Sequence, residues 1–243
     1  MISEESPFAI QPIGVIHSCF KEKFGIPRQP GLAAGARGSL ELFPPYNDIA
    51  MVAALETFSH IWIVFVFHGN KPGKWGRTVR PPRLGGNRRV GVFASRSGFR
   101  PNPVGISAVQ LESIEQSRGT LFLHLKGIDL LDQTPVIDVK PYVPYSDRIM
   151  EAVDGYAEKP ATEKLSVAFT SEADAVCATL ESVKYPALKK LIIEIIGNDP
   201  RPGYFALKKS DADFGMVLFD LNIRFQVTGR QAIIFAIEKK KDL

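Results

Sequence analysis

At 243 residues, 45% hydrophobic and 23% charged, the chain has an ordinary globular composition and can bury one large domain, or a main domain and a smaller one. The longest clean apolar run, Ile61 to Phe67, has the length of a strand and excludes a membrane-spanning helix. Two distant cysteines, Cys19 and Cys177, exclude a disulfide framework and a cysteine-based zinc site, and the net charge is a modest +4.

The first part of the chain is expected to be β-rich. Strands are predicted over Ala9 to Ser18, Arg37 to Phe43, Ile61 to Phe67, Arg89 to Ala94, Val104 to Leu111, Thr120 to Lys126 and Pro135 to Val139. In the sixth, Leu121, Leu123 and Leu125 alternate with Phe122, His124 and Lys126, the period of a strand with one face buried. Asn47-Asp48 can cap a short helix carrying Met51, Val52 and Leu55. Many short strands with little helix between them suggest a barrel or a curled sheet.

Composition shifts near residues 156–162, which read as a linker, so a main domain over 1–156 and a smaller α+β domain over 160–243 are expected. In the latter, Ser171 with Asp174 resembles a capping box for a helix through Val183. Leu188, Leu191, Ile192, Ile195 and Ile196 follow at the spacing of an amphipathic helix, which Gly197-Asn198 should end. Strands are predicted from Tyr204 to Leu207, Gly215 to Asp220, Ile223 to Thr228 and Ala232 to Glu238. The overall expectation is an α+β chain with a β-barrel-like N-terminal domain. The acidic start, Met1-Ile2-Ser3-Glu4-Glu5, lacks the features of a signal peptide, and a cytoplasmic location is expected.

Charge is unevenly placed. From Thr57 through Leu111 there is no acidic residue, while Lys71, Lys74, Arg77, Arg80, Arg83, Arg88, Arg89, Arg96 and Arg100 all fall there, leaving the rest of the chain at −5. Most of these cations lie among prolines and glycines, hence in stiff loops rather than on solvated helix faces. A rigid, arginine-rich loop set needs a counter-charge and suits phosphate oxygens or stacked bases.

The chain has no G-x-G-x-x-G, Walker A, H-E-x-x-H or G-x-S-x-G signature. Instead it carries a series of specific segments. They include Pro12-Ile13-Gly14-Val15-Ile16-His17-Ser18, Pro27-Arg28-Gln29-Pro30-Gly31, Leu55-Glu56-Thr57-Phe58-Ser59-His60-Ile61-Trp62, Phe67-His68 and Arg80-Pro81-Pro82-Arg83-Leu84-Gly85-Gly86. Further on come Gly91-Val92-Phe93-Ala94-Ser95-Arg96, Phe99-Arg100-Pro101-Asn102-Pro103-Val104-Gly105 and the run from Gly127 to Tyr142, with Asp199-Pro200-Arg201-Pro202-Gly203-Tyr204 late in the chain. In this order they resemble the TsaA/TrmO family, the tRNA N6-threonylcarbamoyladenosine methyltransferases. The resemblance implies a non-Rossmann β-barrel methyltransferase domain, S-adenosylmethionine as cofactor, and no metal. It also implies a C-terminal domain that assists tRNA binding, and a homodimer with cofactor near the subunit interface. The substrate implied is the adenosine immediately 3′ of the anticodon, already carrying a threonylcarbamoyl group on N6.

Carried over residue by residue, cofactor contacts would fall on Pro27, Arg28, Gln29, His68, Gly69, Arg96, Asp129, Leu130, Leu131 and Asp132. The chemistry agrees: Arg28 or Arg96 could pair the cofactor carboxylate, Asp129 or Asp132 could accept from its ribose or ammonium, and Gln29 could read the adenine edge. Gly69 could contribute only backbone. On the substrate side, Arg100 and Lys140 could take phosphates, Asn102 a base edge and Tyr142 a stacked base; Arg201 and Tyr204 invite the same reading. His60, His68 and Asp138 are the candidate proton acceptors, unranked by sequence, whereas His17 and His124 look structural. The cationic loops also admit two rival readings: a non-catalytic tRNA-binding module, and an enzyme acting on a small phosphorylated metabolite.

Overall fold

The structure is a computed structural model that describes residues 9–71, 73–84, 87–157, 164–202 and 212–240. Strands β1 (Gly14–Ser18), β2 (Arg37–Leu42), β3 (His60–Val66), β6 (Val104–Ser117), β7 (Thr120–Lys126) and β8 (Pro135–Pro141) close into an antiparallel barrel in the order β1-β2-β7-β6-β3-β8. A short ribbon, β4 (Thr78–Val79) with β5 (Val90–Gly91), stands within the β3–β6 connection. Period-two alternation fills the barrel: Ile61 and Ile63 of β3, Leu121, Leu123 and Leu125 of β7, and Ile16, Leu40, Val109 and Val136 all point inward and are essentially fully buried. Each such side chain contributes roughly 1.5–3 kcal/mol on leaving water. Closure also removes the exposed strand edges that an open sheet would present.

The topology has a direct consequence for function. Alternate strands run in opposite directions, so the connections that follow β1, β3 and β7 (residues 19–36, 67–103 and 127–134) all emerge at one end of the barrel. The connection from β6 to β7, at the other end, is only the tight turn Arg118-Gly119, with φ of 50° and 81°.

Beyond the barrel come the four-residue α1 (Pro144–Asp147), β9 (Ser166–Phe169), α2 (Ser171–Val183), α3 (Leu188–Gly197), β10 (Asp213–Leu218), β11 (Leu221–Thr228) and β12 (Gln231–Lys239). The sheet order is β10-β11-β12-β9, with β9 parallel to β12. The predicted apolar face of α3 is buried throughout. The small unit packs on the β1–β2 connection: Phe20 bridges to Leu218, the Val217 N–H donates to Glu22 Oε1, and Cys19, Phe20, Met216 and Leu218 belong to one buried cluster with the barrel interior.

Several expectations are corrected. Arg89 to Ala94 is not one strand: after Gly91 the chain turns into a 3-10 segment, Val92–Ala94, closed by the Ser95 hydroxyl donating to the Val92 carbonyl. The strand from Val104 continues past Leu111 to Ser117 through a bulge between Leu111 and Ser113. The predicted helix after Asp48 is two 3-10 turns, Ile49–Val52 and Leu55–Thr57, separated by Ala53 and the left-handed Ala54. The cap of α2 is Thr170, whose side chain accepts from the Ala173 N–H; Ser171 is already helical. The edge strand β9 escaped prediction, and the predicted strand Tyr204 to Leu207 lies outside the described residues.

His17 pairs with Glu41 at 2.6 Å and His124 with Glu115 at 2.9 Å, both on the barrel wall. Burial pushes the Cys19 thiol up to about 12 and that of Cys177 to about 11, so both stay protonated and inert.

Candidate active site

A cavity of about 660 Å³ opens at the barrel end where the three long connections meet, and each contributes to its wall. The β1–β2 connection supplies Lys23, Ile26, Pro27, Arg28 and Gln29; the β3–β6 connection supplies Phe67, His68, Gly69, Arg96, Arg100 and Asn102; the β7–β8 connection supplies Asp129, Leu130, Leu131 and Thr134. Phe65 and the Val104–Ser107 stretch, where β3 leaves and β6 enters the barrel, complete it. Its volume falls in the roughly 300–1,000 Å³ range of small-molecule sites.

Glycines set its shape. A Cβ on Gly105 would lie 2.3 Å from Phe65 Cζ, and one on Gly98 would lie 2.6 Å from Phe67 Cγ, so both phenyl rings rest against bare backbone. The two rings meet edge to face at 4.9 Å. At Gly69 a Cβ would come within 2.8 Å of Lys23 Cε and 3.2 Å of Leu131 Cδ2, which leaves that position a backbone role.

The polar groups on this wall are held by partners. Asp129 Oδ1 accepts from the buried Ser107 hydroxyl at 2.7 Å. Burial pushes the Asp129 carboxyl up to about 6, against the pull of the Ser107 hydrogen bond and the nearby Arg96 charge. Arg96 Nη1 donates to Gln29 Oε1 at 2.7 Å, tying the first connection to the second. Arg28 Nη2 donates to the carbonyls of Asp199 and Arg201, and Arg100 Nη1 to that of Ser95. His68 Nδ1 lies 3.4 Å from Thr134 Oγ1; partial desolvation and the Lys23 ammonium depress the imidazolium pKa below its usual value, with Asp132 opposing. The arrangement offers cations for a carboxylate, a buried acid for an ammonium or diol, an amide, a histidine, and aromatic and aliphatic walls for a flat ring. These groups fit the functional groups of S-adenosylmethionine.

Other sequence candidates are elsewhere in the chain. Asp132, three residues from Asp129, accepts from the Ser18 N–H and pairs with Lys21 at 2.8 Å, so it closes the β7–β8 connection onto β1. His60 begins β3 at the opposite end of the barrel, roughly 17 Å along the strand from Phe65 at 3.3–3.4 Å per residue. Its Nδ1 meets Ser59 Oγ, and Tyr142 packs beside it and against Trp62. Asp138 pairs with Lys140 at 2.7 Å; their register partners on β3 are Val64 and Trp62, on the outer barrel face. Arg201 is not an outward phosphate contact: it is only 8% exposed and its Nε and Nη2 grip both oxygens of Asp199. Tyr204 lies outside the described residues.

Sequence reasoning missed Ser107, Lys23 and Thr134, and the phenyl floor of Phe65 and Phe67. It also passed over Trp75 and Phe93, respectively 54% and 78% exposed among the loop cations. The available signal was aromatic residues interleaved with arginines in a segment without acids. Among the described residues, no carboxylate forms an ion pair with Lys71, Lys74, Arg77, Arg80, Arg88, Arg89, Arg96 or Arg100.

Comparison with known proteins bears on this geometry. The family model for the tRNA-methyltransferase O N-terminal domain matches residues 15–148, and that for the TrmO C-terminal domain matches residues 162–240. The tRNA (adenine(37)-N6)-methyltransferase of Escherichia coli strain K12 is 45% identical over 235 residues, covering 97% of this chain and 100% of the relative. A putative S-adenosylmethionine-dependent methyltransferase, RcsF, from Pseudomonas aeruginosa is 44% identical over 217 residues, covering 89% of this chain and 91% of the relative. The crystal structure of TrmO from Pseudomonas aeruginosa superposes with a TM-score of 0.79 at 35% identity, over 97% of this chain and 100% of that one.

Proposed function

This chain belongs to the tRNA-methyltransferase O family, and on that premise we propose that it transfers the methyl group of S-adenosylmethionine to N6 of an adenosine in tRNA. The base is the one immediately 3′ of the anticodon, and its N6 already carries a threonylcarbamoyl group. The observation that carries this reading is the convergence of Arg28, Gln29, Arg96, Asp129, Leu130 and Leu131, from three separate connections, on one cavity beside an acid-free cationic loop set.

When bound, the cofactor supplies an electrophilic methyl group on a sulfonium. Arg28 and Arg96 would hold its carboxylate, and Asp129 would hold its ribose hydroxyls or ammonium. The phenyl and leucine walls would keep water from the bound donor. Methyl transfer is an in-line displacement, so this fixed seating supplies much of the rate enhancement. The attacked nitrogen belongs to a ureido group whose lone pair is delocalised, and its proton must leave as the new bond forms. Of the three candidate acceptors, His68 is on the cavity wall, and its depressed pKa keeps the imidazole neutral and able to accept. His60 and Asp138 have no part in this subunit's cavity.

The cations of the β3–β6 connection take the tRNA phosphates, and Trp75, Phe93 and Phe99 offer stacking faces. The C-terminal domain assists docking. A second copy is expected to cover the outer face of β3, β6 and β8 together with the segment after it, where Ile106, Tyr145, Ile149, Met150 and Val153 are 49%, 92%, 68%, 69% and 91% exposed. Ile106 also lines the cavity, so a partner seated there would reach the cavity rim. A cytoplasmic location accords with this substrate; no described helix is long and apolar enough to cross a membrane.

The test is incubation with methyl-labelled cofactor and tRNA with or without the threonylcarbamoyl group. Label is expected only on the modified tRNA; equal labelling of both defeats the stated substrate, and labelling of neither defeats the activity.

A further inference from the structure

The Asp199-Pro200-Arg201 segment does not line the cavity, yet its backbone touches a residue that does, Arg28. It follows α3 directly, with Asp199 in the left-handed region at φ 49°. Arg201 is buried and bound to Asp199 twice, Nε to Oδ1 and Nη2 to Oδ2, each at 2.8 Å, while its own N–H donates to Oδ1 at 3.3 Å. This bidentate pair locks the turn in one shape. Locked, the turn presents two carbonyl oxygens to Arg28: Nη2 donates to that of Asp199 at 3.2 Å and to that of Arg201 at 2.8 Å. The guanidinium therefore lies just past the C-terminal end of α3, where a helix favours positive charge.

Two further bonds hold the same helix end against the same connection. Asn198 Nδ2 donates to the Leu32 carbonyl at 2.8 Å, and Glu194 Oε2 accepts from the Gly35 N–H at 2.7 Å. From Arg28 the order passes to its neighbour Gln29, whose side chain receives Arg96.

We propose that the Asp199–Arg201 turn of the C-terminal unit is a positioning element for the methyl-donor site, with Arg201 acting through Asp199 and the two turn carbonyls to fix Arg28 at the cavity wall. This rests on the cofactor reading of the cavity. It gives the small unit a role in cofactor binding separate from any contact with tRNA, and makes Arg201 a positioning residue.

The experiment is a double-mutant cycle read by isothermal titration with S-adenosylmethionine, on the full chain, with Arg28→Ala, Arg201→Ala and the double variant. Arg201→Ala is expected to weaken cofactor binding by about tenfold, the scale of one charge-assisted hydrogen bond. In the Arg28→Ala background the same change is expected to have little further effect, because its influence passes through Arg28. Fully additive effects overturn the proposal, since a merely structural role weakens binding whether or not Arg28 is present. Unchanged cofactor affinity in Arg201→Ala, with weakened tRNA binding, also overturns it and returns Arg201 to the RNA surface. If Arg201→Ala does not fold, Asp199→Asn replaces it in the cycle, with the same two outcomes. The cofactor reading fails differently: the unaltered protein would then give no heat with S-adenosylmethionine, and the positioning role falls with it.

Discussion

Replacing Asp129 by asparagine is expected to make the protein more stable and weaken its hold on the methyl donor. Burial lifts the Asp129 carboxyl from 3.8 to about 6. Between those values the folded chain keeps a proton that the unfolded chain has released. Folding stability therefore falls as pH rises through this window: the penalty is absent below the unfolded value and complete above the folded one. A displacement of about two units corresponds to about 3 kcal/mol. Asparagine never ionises and escapes that penalty, which is already net of the Ser107 hydrogen bond that favours the carboxylate. The gain is then up to about 3 kcal/mol at neutral pH, or roughly 6–12 °C in Tm for a chain of this size.

The assay is thermal unfolding of both proteins from acid to mildly alkaline pH, without cofactor, followed by titration with S-adenosylmethionine at neutral pH. The melting curves should converge near about pH 4 and separate above about pH 6, with the variant higher, while its cofactor affinity falls by about tenfold or more. A variant that is less stable at neutral pH, or equally shifted at every pH, refutes the argument from burial. Retained affinity removes Asp129 from the donor site.

Three other outcomes follow from the same geometry. His68→Asn should lower kcat far more than cofactor affinity, and the acidic limb of the unaltered enzyme's kcat profile should fall below the ordinary histidine value, about 6.5, because the His68 pKa is depressed; a limb above that value would argue against His68 as acceptor. Gly105→Ala should push on Phe65, whose Cζ would lie 2.3 Å from the added carbon, destabilising by about 1–3 kcal/mol and reducing cofactor affinity, as unfolding and titration would report. Arg88→Gln with Arg89→Gln should leave cofactor binding intact, weaken tRNA binding, and reduce the slope of log affinity against log salt by about 0.7–0.9 for each phosphate no longer neutralised. An unchanged slope would take these two arginines off the RNA path.

What could be read in the sequence depended on whether local pattern or distant partner decided the matter. The alternation in β7 and the apolar stripe of α3 fixed their buried faces, because periodicity alone aims those side chains. Arg89 to Ala94 failed as a strand because the 3-10 turn after Gly91 is closed by Ser95, a residue outside the predicted run. The four residues of β9 were too few to carry a period, and their place at a parallel edge depends on β12, sixty-five positions away. Site residues divide the same way. In Asp129-Leu130-Leu131-Asp132 the two carboxylates look equivalent, and only the fold distinguishes them: one meets the inward-facing Ser107 within the barrel mouth, the other meets Lys21 and the Ser18 N–H. Arg28 and Arg201 likewise share a chemistry and differ in what claims the guanidinium: Arg28 lines the cavity, whereas that of Arg201 is held by the Asp199 carboxylate. Residue type thus predicts what a side chain can bind. Which of several equivalent side chains faces the ligand is set by the buried partners that claim the others, and those partners come from strands and connections distant in sequence.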